Sequence, residues 1–118
     1  MDTPVEIFHN PRCSKSRATL ELLREQGIEP AIIEYLKVEL NEAQLGGLID
    51  GLGGRPSDLL RKKEGAYTER GLTDESTRAE VIAAILAEPI LLERPVVRAG
   101  ERVAIGRPPG NVLKILNT

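Results

Sequence analysis

The run Val5-Glu6-Ile7-Phe8-His9-Asn10-Pro11-Arg12-Cys13-Ser14-Lys15-Ser16 decides how the chain folds. Val5 to Phe8 is a short β-prone segment, and His9-Asn10-Pro11-Arg12 breaks it. Behind the break Ser16, Leu20 and Leu23 recur at i, i+4 and i+7, the spacing of a helix face. Gly27 is placed to end that helix, and Ala31 to Tyr35 reads as a second, isoleucine-rich strand. Strand, tight loop, helix and strand make a βαβ unit, whose strands run parallel with a right-handed crossover.

The pattern then turns helical. Asn41 is an N-cap ahead of Leu45, Leu48, Ile49 and Leu52, and Gly53-Gly54 ends their stripe. Pro56 and Ser57 open a short helix through Leu59 and Leu60, followed by a polar stretch from Lys62 to Thr73. Asp74 or Ser76 is expected to cap a helix with Val81, Ile82, Ile85 and Leu86 on its apolar face, stopping near Pro89. Arg94-Pro95 leads into Val96-Val97, a turn at Ala99-Gly100 and Val103 to Ile105, an antiparallel hairpin closed by Gly106. Pro108 and Pro109 suit the first turn of a last helix carrying Val112, Leu113, Ile115 and Leu116. The expectation is one α/β domain over residues 1–118: a thioredoxin-like mixed sheet with a helical insertion at about 41–88.

Composition narrows the function. A length of 118 residues with 41% apolar content supports one ordinary core. The 16 basic and 18 acidic residues are spread along the chain for a net charge of -2, which disfavours a nucleic-acid or membrane surface. The longest aliphatic run, Val81 to Ala87, is too short to span a bilayer, and the first residues lack the pattern of an export signal, so a cytoplasmic location is expected. One cysteine and one histidine supply neither an internal disulfide nor the four ligands of a structural zinc site. No metal is expected, and no bound cofactor.

Chemistry gathers around Cys13. A helix N-terminus exposes unpaired N–H groups and partial positive charge, which favour a thiolate and a bound oxyanion together. His9 or Arg12, flanking the loop, adds a cation beside the sulfur, and Asn10 shapes the turn. Ser16 stands where a dithiol enzyme carries its resolving cysteine and is a candidate donor to sulfur. A phosphatase loop needs arginine six positions after the cysteine, and Thr19 stands there; Arg17 is a structural or rim residue. Arg94 and Arg107 each precede proline and bracket the hairpin, while Arg61 follows Leu59-Leu60. Three planar guanidinium forks suit a tetrahedral dianion. Singly these residues carry little weight, since lone cysteines are often small buried hydrophobes and arginines are mostly solvated. Their joint placement carries the reading.

Four segments, Ile7 to Arg17, Leu59 to Lys63, Pro89 to Val97 and Ile105 to Pro108, together resemble the glutaredoxin-coupled arsenate reductase family over nearly the whole chain. The resemblance is to its short chromosomal branch, and the Spx regulators are related. It implies a thioredoxin-like fold, Cys13 as nucleophile assisted by His9, oxyanion binding by Arg61, Arg94 and Arg107, and a cis peptide at Arg94-Pro95. It further implies that Cys13 attacks arsenate to give a thioester-like adduct, that glutathione attacks this adduct as co-substrate, and that glutaredoxin removes the glutathione so that arsenite leaves. Ser16 then need not be cysteine. The partners implied are arsenate or a similar oxyanion, glutathione and glutaredoxin. The chain itself is expected to act as a monomer. The alternatives are a monothiol redox enzyme acting on another substrate and a non-enzymatic, Spx-like regulator that binds RNA polymerase, although Cys13 and Ser16 do not reproduce the C-x-x-C switch usual there.

Overall fold

Residues 4–116 are described by the computed structural model. The chain divides into two compact units, residues 1–38 with 94–118 forming the first and residues 39–93 the second. The expected insertion falls inside the second unit.

In the first unit, β1 (Val5–Phe8) leads through a loop to α1 (Ser14–Glu25) and then to β2 (Ala31–Ile33). Ser16, Leu20 and Leu23 are buried as the periodicity requires, and Thr19 joins them. Gly27, at φ 78°, ends the helix: its N–H donates to the Arg24 carbonyl while that of Ile28 donates to Leu23, a pattern that needs a left-handed residue. Strand β2 stops at Ile33, two residues short of expectation. The Ile33 carbonyl accepts from His9 N–H, and a turn closed from Lys37 N–H to the Glu34 carbonyl then takes the chain away.

The hairpin of β3 (Val96–Ala99) and β4 (Arg102–Ile105) completes a mixed sheet of order β2-β1-β3-β4. Strands β1 and β2 are parallel, and the other pairs are antiparallel. Register does the positioning. Phe8 pairs with Val96 and Val96 with Ile105, so the loop after β1, the residues before β3 and those after β4 reach one edge of the sheet. Ile7, Leu20, Leu23, Val97, Ala99, Val112 and Ile115 form the core, each large side chain stabilising it by roughly 1.5–3 kcal/mol on burial. The segment after Arg107 differs from expectation. Pro108 caps a 3-10 turn, Pro109–Val112, and only Leu113–Leu116 is α-helical.

The second unit is helical. Helix α2 (Glu42–Leu52) opens with a capping box in which Asn41 Oδ1 accepts from Gln44 N–H and Gln44 Oε1 from Asn41 N–H, and it ends at Gly53. A 3-10 turn, Pro56–Leu59, follows. Two short pieces went unread in the sequence: α3 (Gly65–Glu69) within the polar stretch, and a 3-10 turn at Pro89–Leu91. Helix α4 (Arg78–Ala87) is capped by Thr77, one residue past the expected Ser76. Ser76 Oγ instead accepts from Thr73 N–H, and Thr77 forms a capping box with Glu80. In the first unit α5 is Leu113–Leu116. No described helix is long and apolar enough to cross a membrane.

Candidate active site

Cys13 is the N-cap of α1, its backbone extended at φ -93°, ψ 124°. The loop before it is held from within. Asn10 takes the N–H of Cys13 on its carbonyl at 2.9 Å and that of Arg12 on Oδ1 at 3.0 Å. Arg17 reaches back from α1 and donates to the Pro11 carbonyl at 2.8 Å, so it ties the loop to the helix.

The thiol is 9% exposed. Burial pushes its pKa up, but the backbone N–H of Ser16, a hydrogen bond from the Arg94 side chain, the N–H of Lys15 and the Arg94 charge together bring it below its ordinary value. The cation at the sulfur is therefore Arg94, which lies 81 positions along the chain and arrives through the sheet register. His9 and Arg12, expected to supply it, are not among the causes. Helix α1 carries no acidic residue in its first turn, whereas α2 and α4 carry Glu42 and Glu80 there. No carboxylate of α1 itself therefore offsets the partial positive charge of its first turn.

His9 is turned to a different task. It is 6% exposed, and its Nδ1 lies 2.7 Å from Ser16 Oγ, which also accepts from Asn10 N–H at 3.0 Å. Burial, ahead of the charges nearby, holds its pKa below the usual 6.5. A neutral imidazole accepting the Ser16 hydroxyl proton at Nδ1 fits this pair. The hydroxyl of Ser16, expected to point at sulfur, thus serves the loop, and it is the Ser16 amide that serves the sulfur.

Arg94 and Arg107 do meet. Arg107 Nε donates to the Arg94 carbonyl at 2.9 Å, and Asn111 Nδ2 donates to the Arg107 carbonyl at 3.0 Å. Both X-Pro bonds here, Arg94-Pro95 and Arg107-Pro108, are cis; the second was not expected. The Arg94 Nε is buried without a hydrogen-bond partner among the described residues, so one edge of its fork is uncommitted. Arg61 belongs to the second unit. Its N–H donates to the Leu91 carbonyl at 2.8 Å, its side chain is only 17% exposed, and its guanidinium pairs with Glu64 at 2.8 Å. It is an ion-paired residue there rather than a free fork.

Two residues of this neighbourhood had no functional reading in the sequence. Gly106 N–H donates to the Pro95 carbonyl at 2.9 Å, and a Cβ at Gly106 would stand 2.5 Å from Thr19 Oγ1 and 2.8 Å from Pro95 Cγ. Thr19 is fully buried and donates to the Lys15 carbonyl at 2.8 Å. The only signal was Thr19's polarity on a buried helix face.

Comparison with known proteins places the chain in a family. The model of the ArsC family matches residues 8–115. The chain belongs to the ArsC family. An arsenate reductase of Neisseria meningitidis is 39% identical over 114 residues, covering 95% of this chain and 97% of that one. The Escherichia coli (strain K12) protein YfgD, described as uncharacterized, is 46% identical over 118 residues, covering 98% and 99%. Among solved structures, that of an arsenate reductase from Vibrio cholerae superposes with a TM-score of 0.90 at 40% identity, covering 98% of this chain and all of that one. The mixed sheet and its helices are thus the thioredoxin-like fold of ArsC proteins.

Proposed function

We propose that this ArsC-family chain reduces arsenate to arsenite, with Cys13 as nucleophile and with glutathione and glutaredoxin as the source of electrons. The observation that carries the reading is the Arg94 guanidinium against the Cys13 thiol, with Arg107 fastened to Arg94 at the same sheet edge. Relatives named arsenate reductase at about 40% identity support the substrate.

On this reading the thiolate attacks arsenic(V), forming a sulfur–arsenic bond as water is lost. Helix amides and arginine forks stabilise the oxyanion. Glutathione forms a second sulfur–arsenic bond with loss of another water. The thiol of glutaredoxin then takes the glutathionyl sulfur as a mixed disulfide, and the electron pair of the broken bond stays on arsenic, now arsenic(III) on Cys13. Hydrolysis frees arsenite and restores the thiol. The sum is one arsenate and two thiols giving one arsenite, one disulfide and water, and a chain with a single cysteine needs both thiols from outside. Arg61 is proposed as a third oxyanion ligand, which requires it to exchange Glu64 for substrate.

Arsenate turnover with glutathione and glutaredoxin tests the reading. Activity in the wild type and its loss in Cys13→Ser is the expected result. No turnover in the wild type, with the thiol intact, would overturn it.

A further inference from the structure

We propose that Thr19 and Gly106 are positioning residues that set the separation between the first turn of α1, which carries Cys13, and the strand ends that carry Arg94 and Arg107. The inference rests on Cys13 being the reactive group of the proposed function.

The observations concern fit. Gly106 sits between α1 and Pro95 with no room for a side chain: a Cβ there would lie 2.5 Å from Thr19 Oγ1, 3.1 Å from Thr19 Cγ2 and 2.8 Å from Pro95 Cγ. Neither neighbour yields easily. Thr19 is β-branched, fully buried and bonded to the Lys15 carbonyl, and Pro95 is a buried ring whose carbonyl accepts the Gly106 N–H. Thr19 lies on α1 about one turn after the amides of Lys15 and Ser16, which face the sulfur. Pro95 follows Arg94 directly, and Arg107 follows Gly106. Helix and strand ends therefore touch through Thr19 and Gly106 at the point where thiol and guanidinium must keep hydrogen-bond distance. Glycine's φ here is not in the left-handed region, so space rather than backbone conformation calls for it.

The test follows the rate of Cys13 alkylation by iodoacetamide against pH, with a thermal melt to confirm folding. Gly106→Ala should move the inflection upward and slow alkylation at pH 7 by roughly threefold to tenfold, because the guanidinium is pushed off the thiolate. Thr19→Ala should also displace the inflection, whereas Thr19→Val, which keeps the branched shape and loses only the hydroxyl, should restore wild-type behaviour. If Gly106→Ala fails to fold, the Thr19 pair still decides. An unchanged inflection in folded Gly106→Ala or in Thr19→Ala would overturn the proposal, as would Thr19→Val behaving like Thr19→Ala. No arsenate is present, so the fate of this inference is separable from that of the arsenate reductase reading.

Discussion

Arg107 Nε donates to the backbone carbonyl of Arg94 at 2.9 Å, so the two arginines at the open end of the hairpin are fastened by a main-chain acceptor rather than repelled apart as like charges. A carbonyl accepts from a guanidinium and leaves its remaining N–H groups free. Arg107→Lys has no Nε–H to donate in this geometry and should lose as much as Arg107→Ala. Titration calorimetry with arsenate or sulfate is expected to show binding weakened by roughly tenfold to a hundredfold in both, since a hydrogen bond to a charged group contributes roughly 1.5–3 kcal/mol.

Arg94 acts on the thiol through a hydrogen bond and through its charge, and both favour the anion. Removing it in Arg94→Ala therefore raises the Cys13 pKa, with burial then unopposed by any cation. Alkylation at pH 7 should slow, and its inflection should move to higher pH. An inflection unmoved by the substitution would show that the helix amides suffice alone.

Ser16→Ala takes away the partner of His9 Nδ1 and of Asn10 N–H in a buried setting, at a cost of about 1–3 kcal/mol for an unsatisfied polar group. The expected readout is a lower unfolding midpoint in urea, with a smaller effect on Cys13 alkylation than Arg94→Ala produces. The reverse order would return the Ser16 hydroxyl to a role at the sulfur.

His9 adds a pH dependence whose sign follows from its lowered pKa. The unfolded imidazole takes up a proton near its usual 6.5, before the folded one does, so the unfolded state binds more protons in the window just below that value. Stability is therefore full above about 6.5 and falls as pH drops through the window. His9→Gln should flatten this part of the curve. Urea midpoints measured from pH 7.5 to 5 check it.

With one cysteine in the chain, oxidation in the presence of oxidised glutathione should add a single glutathionyl group, visible as a mass increase of the intact protein. On the proposed reading glutaredoxin removes it faster than thioredoxin does. Equal arsenate turnover with thioredoxin alone would refute the glutathione-dependent route and leave Cys13 as a possible nucleophile.

Much of this was legible in the residues, for definable reasons. Period and punctuation located β1, α1, the hairpin and α2, because Gly27, Asn41 and Gly53 do locally what their chemistry dictates. The cap at Thr77 was also readable, since Thr77 and Glu80 have capping-box spacing, but the earlier Asp74 and Ser76 competed for the same role. The site divides the same way. Cys13 at a helix start is a local statement and was read from local signals. That His9 faces Ser16, that Arg94 reaches Cys13 and that Arg61 is paired with Glu64 are questions of side-chain direction and burial, on which spacing is silent. The close approach of Gly106 to Thr19 arises only when strand register lays the end of β4 beside α1.

The missing acid in the first turn of α1 sets two demands against each other at Ser14, the exposed first residue of that helix. An aspartate there would raise the melting temperature, since a carboxylate at a helix start contributes about 0.3–1 kcal/mol. On the proposed function the same carboxylate would occupy the field that an incoming oxyanion needs and repel it. A library selected for thermal robustness should therefore enrich acids at Ser14 while one selected for anion binding purges them, which makes this single position a place where heat tolerance and chemistry evolve in opposite directions.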